Sequence, residues 1–290
     1  MSVLAAAALD AVAAEPPVRV HPVVWSGRYL DRVAPRVPAA PPGRALAGGG
    51  AAWLVGAAAS LLAGRALDRR PLRGPALWPL LSARMLLTEV LAVERALGED
   101  LDAGRAALAR IVSRDTGDLT STEVRGAAIQ SVAENLSDSV VAPLFWYAVA
   151  GLPGAALYRF ANTADACWGY RTPRWRYAGT VAARADDALN LVPARLTALL
   201  LRGPVDLTRV RAEARRTASP NAGWPMAALA LRLDLRLSKR DHYVLHPSGA
   251  DPGPGDVERA FRLVRRTAVA AVAIAATVEH LTHRQRGGRP

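Results

Sequence analysis

Cysteine is almost absent from this 290-residue chain: Cys167 stands alone, which excludes an intrachain disulfide and any cysteine-based metal site. Its neighbours Ala166 and Trp168 suit a packed thiol. Lysine is nearly as scarce, since Lys239 is the only one and the rest of the 37 basic side chains are arginine. A phosphate-binding P-loop requires Gly-Lys-Ser/Thr, and Lys239 follows Ser238, so that loop is excluded. The glycines at 48–50 and 249–255 do not form the dinucleotide fingerprint, and no G-x-S-x-G elbow is present. Aromatics make up only 6%, and no basic patch is interleaved with them, which argues against nucleic acid as a partner. Alternating Val/Ile/Thr runs are also missing, so little sheet is expected. No internal repeat is visible.

What remains is Ala, Leu and Val in quantity, with 51% hydrophobic residues and a mean hydropathy of +0.10. That composition suits helices, and with 21% charged residues it requires charge to be segregated from apolar stretches. The chain reads as mostly α, a single integral-membrane domain over 1–290 with amphipathic and proline-broken helices around a polar site. The net charge of +12 is spread between apolar segments, a pattern suited to anionic lipid at a membrane surface.

Residues 45–64 contain no charge and are long enough to cross a bilayer. Within them Ala52, Gly56, Ser60 and Gly64 recur every four residues, a small-residue ridge for close helix packing. Residues 1–14 read as a first apolar helix that is retained, because the run lacks the basic start of a secretory signal and Asp10 interrupts it. The prolines of EPPVRVHPVVWSGRYLD predict an extended approach, followed by a Pro/Arg-rich loop to about Arg44. Residues 76–97 carry Arg84, Glu89 and Glu94 and read as an amphipathic helix bordering a polar cavity or the interface. Residues 98–130 read as polar and mostly helical. The two prolines of 139–161 predict a kinked or re-entrant segment, and 188–201 is a further apolar run. Residues 204–262 read as basic and loop-rich. The last apolar run, 267–278, is short for a span.

The chemistry concentrates in three clusters. In SVAENLSDSVVAPLFWY (131–147), Glu134 and Asp138 are four apart, sharing a face of a regular helix, with Asn135 beside them. In YRFANTADACWGY (158–170), Asn162 and Asp165 are three apart. In RADDALNLVPARLTALL (184–200), Asp186 and Asp187 open the segment and Asn190 follows on the next turn. Carboxylates at the mouth of an apolar run are costly unless paired, bound to a cation or facing a wet cavity. Such clusters could converge on one or two Mg²⁺ ions and a phosphorylated ligand, with Arg114, Arg184 and Arg195 available to pair with its phosphates. Helix capping by Ser137, Asp138 or Asp186 is the plainer alternative, and accounts for one acid per cluster. His242 and His246, and His280 and His283, have zinc-like spacing but lack a third ligand nearby; solvated or interfacial histidines are the better reading.

Taken together, EPPVRVHPVVWSGRYL (15–30), IVSRDT (111–116), VAENLSDSVVAPLFW (132–146), the block 158–201 and ASPNAGWP (218–225) resemble the CobD/CbiB family of cobalamin biosynthesis. The blocks occur in the family's order over most of the chain. The resemblance implies a multi-pass protein of the cell membrane, its active site facing the cytoplasm. It implies an ATP-dependent ligase, an adenosylcobinamide-phosphate synthase joining aminopropanol or its O-phosphate to a propionate carboxyl of the corrinoid adenosylcobyric acid, with ATP and Mg²⁺ as cofactors. By motif match, Glu134, Asp138, Asp186 and Asp187 take metal or base roles, with Glu134, Asp138 and Asp187 as the Mg²⁺ ligands. Arg114, Asp115, Asn135, Asn162, Asp165, Ser219 and Asn221 become substrate contacts, together with the phosphate-pairing Arg184 and Arg195; His21 is a ligand contact or a structural residue. Ser113, Met226 and the segment SKRDHYVLHPSG (238–249) depart from the family pattern, which has an acid at the position of Met226. The competing class is a non-catalytic membrane sensor or transporter of the same fold.

Overall fold

The computed structural model describes residues 2–287. The chain is helical almost throughout: α1 (Ser2–Ala13), α2 (Pro22–Val33), α3 (Pro42–Leu67), α4 (Arg70–Leu77), α5 (Ala83–Glu99), α6 (Leu101–Leu108), α7 (Ser121–Leu136), α8 (Ala142–Trp168), α9 (Thr180–Leu189), α10 (Leu191–Leu201), α11 (Leu207–Ala214), α12 (Gly223–Leu233) and α13 (Asp256–Gly287). The sheet among the described residues is one antiparallel hairpin, β1 (Leu237–Lys239) and β2 (Tyr243–Leu245), with Ser238 opposite Val244. Three stretches are long and apolar enough to cross a membrane: Pro42–Leu67, Arg70–Glu99 and Ser121–Trp168.

Two compact units interleave along the sequence, one made of residues 2–82, 142–190 and 272–287, the other of 83–141 and 191–271. In the first unit α3 packs on α8, and the small-residue ridge is what lets them approach. A Cβ on Gly56 would lie 2.2 Å from the Phe160 ring, and one on Gly64 would lie 2.7 Å from Cα of Pro153. Tyr29 of α2 donates its hydroxyl to the carbonyl of Ala52 at 2.7 Å. The core of this unit gathers Leu30, Ala45, Ala57, Phe160, Ala164 and Trp168. The other side of α3 exposes Leu54, Val55 and Leu62, the arrangement of a span with one face on protein and one available to lipid. Glu279 of α13 accepts hydrogen bonds from the first free amides of α1, Ser2 at 2.9 Å and Val3 at 3.2 Å, and from the Tyr147 hydroxyl at 3.1 Å.

Residues 22–33 are helical where an extended approach was expected. Pro22 occupies the first turn, where its missing N–H costs nothing and its fixed φ favours the helix, and the His21 side chain caps the end by accepting from the Val23 amide. The proline-broken character of 139–161 is present: Ala150 and Gly151 leave helical geometry, Gly151 at φ +67° two residues before Pro153.

The stretch 76–97 resolves into a break at residues 81–82, which ends a segment of the first unit, followed in the second unit by the amphipathic α5, whose Leu86, Val90 and Val93 are buried. Its acids are paired, Glu89 with Arg110 and Glu94 with Arg125, each at 3.0 Å. The segment 204–262 is more ordered than its basic, proline-containing sequence suggests, because α12 buries Met226 to Ala230 and Leu233 and so supplies the packing that propensity alone does not. Arg240 in the hairpin turn pairs with Asp118 at 2.7 Å and with Glu123, the acid of the capping box that starts α7.

The three apolar stretches predict tight membrane association. The protein is expected to stay in the pellet through alkaline carbonate washing and to need detergent for extraction; recovery in the soluble fraction at low salt would remove the membrane reading.

Candidate functional site

The acid-and-amide residues fall into two groups, one in each unit. In the first unit α8 carries Asn162 and Asp165, and α9 carries Arg184, Asp186 and Asp187. Asn162 donates its amide to Asp186 at 3.3 Å. Asp165 and Asp187 lie within electrostatic reach of one another. Burial pushes the Asp187 carboxyl above the ordinary aspartate value, against the pull of Arg184 4.0 Å away. Gly169 ends α8 where no larger residue fits, since a Cβ there would lie 1.9 Å from Oδ1 of Asp165. The loop that follows is fixed by Trp175 stacking on Trp168 at 4.8 Å and by Arg174 donating to the carbonyls of Ala34 and Val37.

Behind Asn162 lies a polar chain that sequence reading missed. Buried Arg159 donates to Asn162 Oδ1 at 3.5 Å and to Ser82 Oγ at 3.2 Å. Glu15 interacts with Ser82 and Arg159 and holds the His21 ring at 2.5 Å. Although burial opposes it, those partners, His21 first, hold the Glu15 carboxyl below its usual range. Because His21 Nδ1 accepts the Val23 amide, Nε2 carries the proton and donates to Glu15. His21 thus caps α2 and partners the Glu15 carboxylate.

In the second unit Glu134 and Asn135 lie near the end of α7, and Asp138 in a π turn, Ser137–Val141, that joins α7 to α8. The wider π turn rotates Asp138 away from the straight-helix spacing, and such turns occur often at functional sites. Asn135 donates to the carbonyl of Ser131 at 3.0 Å and to its hydroxyl at 3.3 Å, while Ser131 donates to Ile111 O at 2.7 Å. Those bonds bring the IVSRDT segment against α7. Arg114 of that segment interacts electrostatically with Tyr243, Glu123 and Glu134, and its burial lowers its pKa without removing its charge. Asp115 is exposed and closes a local turn by accepting the Gly117 amide at 2.9 Å.

Tyr243 is the other residue that sequence reading missed. Burial first, then the charge of Glu134, push its phenol up to about 12, so it remains a donor, giving its proton to Gln130 Oε1 at 2.8 Å. Gln130 in turn donates to Ser238 O at 2.9 Å. The partners are 113 residues apart, and nothing in the local sequence links them.

Arg195, Ser219 and Asn221 form one assembly. Arg195 donates to Asn221 Oδ1 at 3.0 Å, to Pro220 O at 3.2 Å and to Leu191 O at 2.6 Å, and covers the Trp224 ring at 4.8 Å. Ser219 Oγ accepts the amides of Asn221 and Ala222. These contacts shape the ASPNAGWP loop and lead it into α12.

Capping does not account for the acids. Asp138 lies in the π turn, and Asp186 lies inside α9, whose N-cap is Gly179. Among the described residues no three His, Cys, Asp or Glu side chains form a group that could hold a metal ion. His246 instead binds Asp234 at 2.6 Å, and the side chain of His283 lies outside the described residues. Two neighbouring carboxylates do suit Mg²⁺ that arrives with a phosphate ligand, since that ion keeps waters and phosphate oxygens and takes only one or two carboxylates.

Met226 lies on α12 rather than in a loop, 3% exposed, with its sulfur 3.7 Å from the Tyr243 hydroxyl. Met226→Glu would bury a carboxylate and offer Tyr243 a stronger acceptor than Gln130. The expected outcome is a melting temperature lowered by several degrees, from a cost of about 1–3 kcal/mol, whereas Met226→Leu melts within about two degrees of the parent. An unchanged melting temperature for Met226→Glu would mean that the position already accommodates an acid.

The architecture so far is that of a helical membrane-type protein with carboxylate–amide groups on its long helices. Residues 3–264 match the CobD/Cbib protein family. The chain is 43% identical over 280 residues to a "Cobalamin biosynthesis protein CobD" of Chromobacterium violaceum, covering 89% of each. It is 43% identical over 203 residues to the protein of that name from Rhodobacter capsulatus, where the match spans 65% of each chain's length. It is 36% identical over 293 residues to the "Probable cobalamin biosynthesis protein CobD" of Methanothermobacter thermautotrophicus, covering 93% of each. No solved structure matches. The chain belongs to the CobD/CbiB family.

Proposed function

We propose that this protein acts in cobalamin biosynthesis as an ATP-dependent ligase of the cell membrane, with several spans and its site on the cytoplasmic side. It would join aminopropanol, as its O-phosphate, to the propionate carboxyl of adenosylcobyric acid, giving adenosylcobinamide phosphate. Family membership supports the pathway. The observation that carries the chemistry is that Asn162 of α8 binds Asp186 of α9, with Asp165 and Asp187 on the same two adjoining helices within electrostatic reach of one another. Bound Mg²⁺-ATP would supply the phosphoryl group that activates the carboxyl.

The residues' own work is to bind and to move a proton. Within the first unit, Asp187 beside Asp165 would hold the Mg²⁺ that accompanies the nucleotide, and the exposed Arg184 would meet phosphate. Arg114, kept cationic beside Glu134 and Tyr243, would bind a second anionic group, a substrate phosphate or carboxylate. Amide formation from an ammonium releases protons, and a carboxylate of either group would accept one. The proline-broken α8 would equally serve a transporter. ATP-dependent amide formation by the purified protein in detergent, with adenosylcobyric acid and aminopropanol phosphate, tests the reading. No amide product alongside intact folding would favour the non-catalytic class.

A further inference from the structure

Arg159 is buried at 9% exposure on α8, inside a stretch apolar enough to span a membrane. A guanidinium there is costly to bury and is retained where it is paired and has a task. Its neighbours define the task. A guanidinium has donors only, so the side chain facing it must present oxygen. Asn162, one turn on, presents Oδ1 to Arg159, and this leaves its NH₂ group aimed at Asp186. Behind Arg159, Ser82 Oγ takes a second donor, and the Glu15–His21 pair supplies the compensating negative charge.

We infer that Arg159 is a positioning residue: it fixes the orientation of the Asn162 amide and thereby the placement of Asp186 in the carboxylate site. A rotated amide would set Oδ1 against the Asp186 carboxylate, oxygen facing oxygen, and drive the two side chains apart. The chain of groups does not carry a proton, because arginine stays protonated and an amide neither gains nor loses one at neutral pH. Its effect is orientation and charge. The inference deepens the ligase reading and rests on it for the catalytic consequence, but the Arg159–Asn162 linkage is independent of that reading.

The test uses the full chain in detergent with four variants, Arg159→Lys, Arg159→Met, Asn162→Leu and Asp186→Asn, and the Arg159→Met/Asn162→Leu double variant. Arg159→Met is expected to lower kcat about tenfold or more with KM for ATP within about twofold, and Arg159→Lys to recover part of the loss. The double variant should lose no more activity, and no more melting temperature, than the worse single, because one linkage is broken once. Multiplying losses in the double variant, or an unchanged kcat in folded Arg159→Met, would overturn the inference. If Asp186→Asn keeps full activity, the catalytic reading of that residue fails, while non-additive melting temperatures would still show the linkage. Should Arg159→Met not fold, Glu15→Gln/Arg159→Met removes both buried charges, and the same comparison with Asn162→Leu decides.

Discussion

Glu134→Gln and Asp187→Asn are expected to lower kcat for ATP-dependent amide formation by roughly a hundredfold or more, the range of groups that act on proton transfer. Each change keeps side-chain size and removes only the charge that a Mg²⁺–phosphate complex would require. Folding should survive. Burial raises the pKa of Asp187 above its ordinary 3.8, so the folded state binds the proton more tightly than the unfolded chain does. Ionisation therefore costs stability as pH rises through that raised value, and at neutral pH the cost is fully present. Asparagine removes it, and the melting temperature of Asp187→Asn at pH 7 should equal or exceed that of the parent. The capping explanation requires the opposite, a loss of about 1 kcal/mol with chemistry intact. Glu134 differs in one respect: its charge also raises the Tyr243 phenol, so Glu134→Gln should move the tyrosine's spectroscopic titration toward lower pH. Wild-type kcat in either variant takes that residue out of the mechanism.

The second large effect lies in the α3–α8 contact. Gly56→Ala would place a methyl 2.2 Å from Cζ and 2.5 Å from Cε2 of Phe160, and Gly64→Ala would place one 2.7 Å from Cα and 2.9 Å from N of Pro153. A ring can swing aside, but the backbone beside Gly64 yields only if the helices separate. Overpacking costs typically about 1–3 kcal/mol, so Gly64→Ala should be the more damaging alanine change, and valine at either position worse again. Gly27 on α2 has nothing within 4 Å of an added Cβ, and Gly27→Ala should stabilise by about 0.5–1 kcal/mol through helix propensity. Melting temperatures of the purified variants provide the check. Parent-like melting of Gly64→Ala would mean that α3 and α8 are not held by that ridge.

The small-residue spacing and uncharged length of 45–64 and the near absence of sheet were legible because each is a local pattern: composition and period decide them before any tertiary contact forms. The family resemblance was legible for the same reason, as motif blocks in order. The helix at 22–33 was not, because proline reads as a helix breaker until a cap such as His21 turns it into a first-turn residue. Nor was α12, whose helicity depends on burying Met226 to Ala230. The acids could be nominated from sequence, but their partners could not.

By itself, then, the sequence determined an α-helical chain with a membrane-length span at 45–64, a ridge for close helix packing and a short set of carboxylates and amides out of place in apolar surroundings. Only the tertiary structure decided which of these meet: Asn162 with Asp186, Asp165 near Asp187, and Arg114 beside Tyr243 and Glu134. It also decided which are occupied in shaping the fold, as Arg195 is with Asn221 and His21 with Glu15. The physical reason is range. Helix period and hydropathy act between residues a few positions apart, whereas a hydrogen bond such as that of Tyr243 to Gln130 joins residues 113 apart and exists only once packing has brought them together.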